Sequence, residues 1–395
     1  MYRGLLEGVV TAKNRYLFNE IDLSNRLTGI VGARGVGKTT LMLQLIKQKL
    51  PKNRKAFYVS ADNIYFQEAR LFEFIADLYR YQGIDFFFID EIHRYPNWDQ
   101  ELKNIYDSFP NIHVVFSGSS SIDLVKGSYD LSRRARLHTL YGLSFREYLN
   151  FTQDRKESVI SFDDLIHHTD EISNTLSKIP MILGHFQDYL AHGYYPYYEE
   201  DPQGFYERIH QTIDKAIYQD IANFYQLKTQ SLVHFKRILN FLATIPPGEM
   251  SVNNLAKNLH IDNKTSQFYL EILSEIMLIR IVTTQEGGNK LLRLPSKAFI
   301  DNTTLLTALN NYLGESLSIG TTRELFFLQS TESAHLPVFY STLGDYTIQQ
   351  YIFEIGGKNK TRHQIKDKQH AYLVKDDILH PTANTIPLYL FGFLY

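Results

Sequence analysis

The sequence predicts an α/β fold that opens on a parallel sheet with helices on both faces. Three observations carry this reading. Gly32-Ala33-Arg34-Gly35-Val36-Gly37-Lys38-Thr39 has the spacing G-x-x-x-x-G-K-T of a phosphate-binding loop (Walker A). An apolar run, Leu27–Val31, precedes it, and an apolar-rich helical run, Thr40–Leu50, follows it. About 50 residues on, Asp85-Phe86-Phe87-Phe88-Ile89 ends in the paired acids Asp90 and Glu91, a Walker B pattern. Apolar runs alternating with helical stretches belong to a parallel sheet covered on both sides.

Each element has its reason. Glycines at 32, 35 and 37 let the chain turn tightly enough for successive N–H groups to converge on phosphate oxygens. The helix N-terminus adds positive partial charge at the same place. Gly32, Ala33, Arg34, Gly35, Val36, Gly37, Lys38, Thr39 and Thr40 are therefore the candidate phosphate-binding residues. Lys38 is expected to reach the β- and γ-phosphates, and the Thr39 hydroxyl to sit on Mg2+. Ala56–Ser60 reads as a second strand after the Pro51–Lys55 turn, and Leu71–Tyr81 as a helix. Asp90 is suited to hold Mg2+ through water and Glu91 to polarise the attacking water.

Asn97 is placed as the N-cap of a helix with Trp98, Leu102, Ile105, Tyr106 and Phe109 on one face. The strand Ile112–Phe116 ends in Ser117-Gly118-Ser119-Ser120-Ser121. A hydroxyl at that tip can sense the γ-phosphate, with Ser119 the first candidate and Ser117 the second. A basic segment, Ser132–Arg136, leads into the strand Leu137–Tyr141. Ligands of such sheets bind at the carboxyl ends of the strands, where Lys38, Asp90, Glu91 and Ser119 all fall.

These motifs, with Asp90-Glu91-Ile92-His93-Arg94-Tyr95-Pro96-Asn97-Trp98 and Leu143-Ser144-Phe145-Arg146-Glu147-Tyr148-Leu149 in the same order, resemble the prokaryotic AAA+-superfamily ATPases that carry a C-terminal domain of unknown function. The resemblance covers nearly the whole chain. It implies ATP as the nucleotide, and no N-K-x-D guanine-reading segment is present. It also implies an arginine finger in an L-x-G-R-A-like segment, in cis or from a neighbouring subunit of a homo-oligomer. In Leu131-Ser132-Arg133-Arg134-Ala135, Arg134 matches the family arginine and Arg133 stands where glycine is usual, so both are candidates.

Four regions are expected: an ATPase core (1–145), a helical connecting region (146–230), a winged helix (231–294) and a nuclease-like end of the PD-(D/E)xK kind (295–395). His192-Gly193-Tyr194-Tyr195-Pro196 marks a turn whose aromatics suit packing. The winged helix rests on helices Phe235–Ala243, Val252–Leu259 (capped by Ser251) and Lys264–Met277. Two wing strands, Ile279–Thr283 and Lys290–Leu294, follow. Lys264, Thr265 and Gln267 are its candidate DNA contacts, with Lys236, Arg237 and Lys257 for phosphates.

In the last region Glu324, Asp345 and Glu354 fall on a helix and strands, with further strands at Ala371–Val374 and Pro387–Phe391 and a helix from Gln364. Gly356 stands where E-x-K requires lysine, and Lys358 lies beyond it, so an inactive scaffold is expected. The basic segment 358–368 is a second candidate phosphate or partner patch.

The totals set outer limits. A net charge of −2 over 395 residues carries no whole-chain basic field, so any nucleic-acid contact must be local. The chain has no cysteine, which excludes disulfides, thiolate metal sites and cysteine nucleophiles. No apolar run approaches the ~18–20 residues of a membrane span, and the N-terminus lacks a signal-peptide core, so a cytoplasmic protein is expected.

Overall fold

The computed structural model describes residues 2–118, 131, 133–246, 252–285, 296–366 and 368–395. The chain divides into two compact units, Met1–Gly142 and Leu143–Tyr395.

In the first unit, β1 (Leu27–Val31), β2 (Ala56–Ser60), β3 (Phe86–Asp90), β4 (His113–Gly118) and β5 (Arg136–Thr139) form one sheet in the order β2-β3-β4-β1-β5. Every pairing in it is parallel. All residues of β1 and β3 are buried, as continuous apolar runs must be when both faces are covered. Helices Leu71–Gln82 and Trp98–Ser108 set Leu71, Ile75, Trp98, Leu102 and Ile105 against Phe87, Ile89, Val114 and Phe116.

Several local expectations change: the expected strand Ile112–Phe116 is His113–Gly118, running on through Ser117, and the expected strand Leu137–Tyr141 is Arg136–Thr139. Asn97 precedes its helix in a left-handed conformation, φ 53°, and makes no side-chain cap. The helix after the loop is α-helical over Lys38–Gln44 and closes as a π-helical turn over Leu45–Lys49.

The second unit, Leu143–Tyr395, is one compact body across the residues where three separate regions were expected. Helices Thr229–Thr244, Val252–Leu259 and Asn263–Glu275 are followed by β6 (Ile279–Thr283). The strand paired antiparallel with β6 is β7 (Ser296–Ile300), so the hairpin runs past the expected boundary at 294. The expected wing strand Lys290–Leu294 and the Ser251 cap lie outside the described residues.

After helices Thr303–Leu313 and Ile319–Ser333 comes a mixed sheet whose five strands lie side by side in chain order. Its strands are β8 (Val338–Tyr340), β9 (Tyr346–Ile348), β10 (Tyr351–Gly356), β11 (Ala371–Lys375) and β12 (Thr385–Pro387). The expected strand Pro387–Phe391 is a 3-10 turn, Leu388–Phe393, after the short β12, and the helix from Gln364 is a single 3-10 turn. Tyr194 and Tyr195 are buried and stack edge to face at 5.2 Å, which is packing. Among the described residues no helix is long and apolar enough to cross a membrane.

Candidate nucleotide site

The strand order decides which chain segments meet. β1 lies between β4 and β5, and β4 in turn borders β3. The loop leaving β1 therefore opens near the acids that end β3. Gly35 and Gly37 take φ of 84° and 98°, the left-handed region that a loop of converging amides requires and side chains resist. A Cβ on Gly32 would lie 2.3 Å from the Leu140 carbonyl oxygen, so only glycine lets the loop pass the end of β5. Gly35, Thr39 and Thr40 are exposed, whereas Val36 and Lys38 are buried.

The Lys38 ammonium donates to the carbonyls of Gly32 and Ala33 at 2.8 and 2.9 Å, spanning the loop from within. The Thr39 hydroxyl donates to Asp90 Oδ2 at 2.5 Å. Asp90 also accepts from the Tyr58 hydroxyl at 2.8 Å, from the Ser117 hydroxyl, and from the Glu91 N–H at 3.1 Å. Burial, and then the Asp90 charge, push the Tyr58 phenol far above its ordinary value, so it stays a donor. Glu91 sits in a left-handed conformation, φ 51°, and its Oε2 is 3.4 Å from Nε2 of the buried His93.

Lys38, Thr39, Asp90 and Glu91 are thus gathered at the carboxyl edge of the sheet. Ser117, the second candidate at the β4 tip, touches Asp90 directly; Ser119 lies outside the described residues. Arg134 is elsewhere. It forms a two-pronged pair with Asp107, Nε–Oδ1 3.0 Å and Nη2–Oδ2 3.1 Å, just before β5 and so at the opposite, amino-terminal edge. Arg133 beside it is exposed.

Residues 24–149 match the AAA domain family. Residues 183–316 match a domain of unknown function, DUF8612. The chain is 28% identical over 315 residues to uncharacterized protein MJ1637 of Methanocaldococcus jannaschii, covering 76% of this chain and 65% of that protein. It is 25% identical over 300 residues to MJ1544 of the same organism, covering 70% and 61%. In both cases less than two thirds of the relative is spanned.

Among solved structures, AMPPCP-bound DnaA from Aquifex aeolicus aligns at TM-score 0.27 and 15% identity, over 69% of this chain and 86% of that one. PCH-2 of C. elegans aligns at TM-score 0.27 and 15% identity, over 68% of each chain.

Several site residues escaped the sequence reading. Tyr58 and His93 reach the acids only through strand pairing and a tight turn, and no spacing rule announces either. Arg15, 5% exposed, donates to the Val36 carbonyl at 2.6 Å and to those of Tyr141 and Gly142 at 2.7 and 2.8 Å.

In the second unit Gly356 leaves the E-x-K position without a lysine, and Lys360 Nζ, further along the chain, lies 2.6 Å from Glu354 Oε1. A Cβ on Gly356 would come within 2.5 Å of the Lys360 stem, so the glycine is what admits it. Lys297 pairs with Glu324 at 3.0 Å and Lys358 with Asp377 at 3.3 Å. Burial raises Glu354 above the usual carboxylate range, against the pull of Lys360. Among the described residues no three His, Asp or Glu side chains are grouped to hold a metal ion.

Of the DNA-contact candidates, Lys264 and Gln267 are exposed, and Gln267 donates to Glu271 at 3.1 Å. The Thr265 hydroxyl donates to Asp262, and Lys236 pairs with Asp214.

Proposed function

We propose that the first unit binds ATP with Mg2+ and hydrolyses it, and that the second unit responds to the nucleotide state. The observation that carries this reading is the junction of Thr39 and Asp90, two hard oxygen groups 51 residues apart in the chain that meet at 2.5 Å. Mg2+ is commonly held by one or two carboxylates with substrate phosphates and water, which this pair suits. When bound, Mg2+ supplies the positive charge that offsets charge building on the phosphate oxygens.

The protein's own groups have distinct tasks. The amides of residues 32–40 hold the phosphates, and Lys38 leaves the Gly32 and Ala33 carbonyls to join them. Glu91 orients the attacking water and draws its proton, with His93 steadying the carboxylate. Ser117 fixes Asp90, and Ser119 is the candidate sensor of the γ-phosphate. The choice of ATP is supported by the AAA domain match over 24–149. A cytoplasmic setting suits a cysteine-free ATPase.

Five strand residues separate Arg134 from its own loop by about 16 Å, more than an arginine spans. An arginine finger here acts on a second copy, which makes a homo-oligomer the working form. Arg133, exposed and next to the Arg134–Asp107 pair, is the better placed of the two.

For the second unit, the three helices and the β6–β7 pair support a winged-helix reading. With Thr265 and Gln267 bonded internally, Lys264 is the strongest of its DNA candidates. The β8–β12 sheet reads as a nuclease-like scaffold without cleavage activity, because Lys360 and Lys297 already neutralise Glu354 and Glu324.

Single-turnover hydrolysis with the full chain tests the central reading. Glu91→Gln should keep Mg·ATP uptake and lose phosphate release by ~100-fold or more. Lys38→Ala should abolish uptake in calorimetry. Hydrolysis at an unaltered rate in Glu91→Gln would falsify the catalytic assignment. ATP recovered intact from the unaltered protein would instead favour a nucleotide-gated switch with little turnover.

A further inference from the structure

We propose that Arg15 is a positioning residue. It aims one amide of the phosphate loop and ties that loop to the peptide by which the chain leaves the first unit. The proposal rests on the nucleotide-binding reading above and adds to it how occupancy of the loop is transmitted.

A trans peptide points its C=O and N–H in opposite directions. The carbonyl of Val36 and the N–H of Gly37 belong to one such peptide. Arg15 Nη1 holds the Val36 carbonyl from behind at 2.6 Å, which leaves the Gly37 N–H facing the other way. Gly37 is at φ 98°, where few side chains would help to fix it, so the orientation depends on what grips the carbonyl.

The second nitrogen of the fork does different work. Nη2 donates to the Tyr141 carbonyl at 2.7 Å and the Gly142 carbonyl at 2.8 Å, 126 and 127 residues away in sequence. Gly142 is the last residue of the first unit. The neighbouring Tyr16 hydroxyl donates to Thr139 at 2.7 Å on the same strand exit.

A planar guanidinium is rigid, so a shift of the Val36 carbonyl toward or away from phosphate moves the donors that hold 141 and 142. Lysine presents a compact ammonium on a flexible stem and has no such fork. The link is therefore specific to arginine rather than to positive charge.

The test is amide hydrogen exchange on the full chain, read in peptides covering 138–145, with and without Mg2+ and a non-hydrolysable ATP analogue. Nucleotide affinity is measured in parallel by calorimetry. In the unaltered protein, nucleotide should slow exchange in this segment by tenfold or more. Arg15→Lys, checked for an unchanged thermal transition, should bind at least tenfold more weakly and lose the slowing even when saturated.

If the unaltered protein binds the analogue but exchange over 138–145 does not respond, the proposal falls whatever the variant does. Arg15→Lys behaving like the parent also overturns it, and leaves the nucleotide reading standing. No uptake by the unaltered protein sinks both.

Discussion

The Tyr58 hydroxyl donates to Asp90 Oδ2 at 2.8 Å across the β2–β3 pairing, one of four donors that converge on a single buried carboxylate. Such convergence fixes the orientation of the carboxylate, which the proposed metal-holding role would use. Tyr58→Phe removes one hydrogen bond to a charged acceptor and should cost about 1.5–3 kcal/mol. Urea unfolding followed by Trp98, the chain's single tryptophan, would measure it within the first unit. An unchanged midpoint would mean the bond contributes nothing.

Gly32 offers a sharper test of the loop. Alanine there places a methyl 2.3 Å from the Leu140 oxygen, and Leu140 is itself pinned by its N–H to Val31 at 2.7 Å. Neither backbone can yield cheaply, so the loop must move. Gly32→Ala should weaken nucleotide uptake by tenfold or more, about 1.4 kcal/mol, in calorimetry.

The second unit carries a largely buried ion cluster that bears on stability. Arg280 pairs with Glu332 at 2.5 Å and with Asp301 at 3.3 Å, and also donates to the Asp301 carbonyl. Burial raises Asp301 above its ordinary range although Arg280 opposes it. Arg280→Met strands the two carboxylates and should cost about 3–5 kcal/mol. Thermal unfolding by circular dichroism would show it, with Arg280→Lys recovering only part.

A pH effect follows from His138 on β5, whose Nε2 is buried without a hydrogen-bond partner. Burial, then the Arg136 charge, hold its folded value below the ordinary 6.5. As pH falls through 6.5 the unfolded chain takes up a proton that the folded chain resists, so stability drops. His138→Gln should flatten the decline in Trp98-monitored stability between pH 7 and 5. An identical slope in both proteins would remove His138 as a cause.

Much of the first unit was legible because its signals are local. β1 and β2 begin and end where their apolar runs do, and the loop and paired acids are defined by spacing along the chain. What lay beyond reach was pairing across sequence. Arg15 meets residues 21, 126 and 127 positions away; Lys360 folds back over Gly356 to pair with Glu354; and β6 chooses Ser296–Ile300.

Sequence alone therefore determined β1 and β2 residue for residue and the places of the G-x-x-x-x-G-K-T loop and the paired acids, since backbone propensity and side-chain period act over a few residues. Only the tertiary structure decided which carbonyls Arg15 and Lys38 hold, that Asp90 collects four donors, and that Arg134 lies at the far edge. Those outcomes depend on strand order and on which polar groups are left without water, and no stretch of chain encodes them by itself.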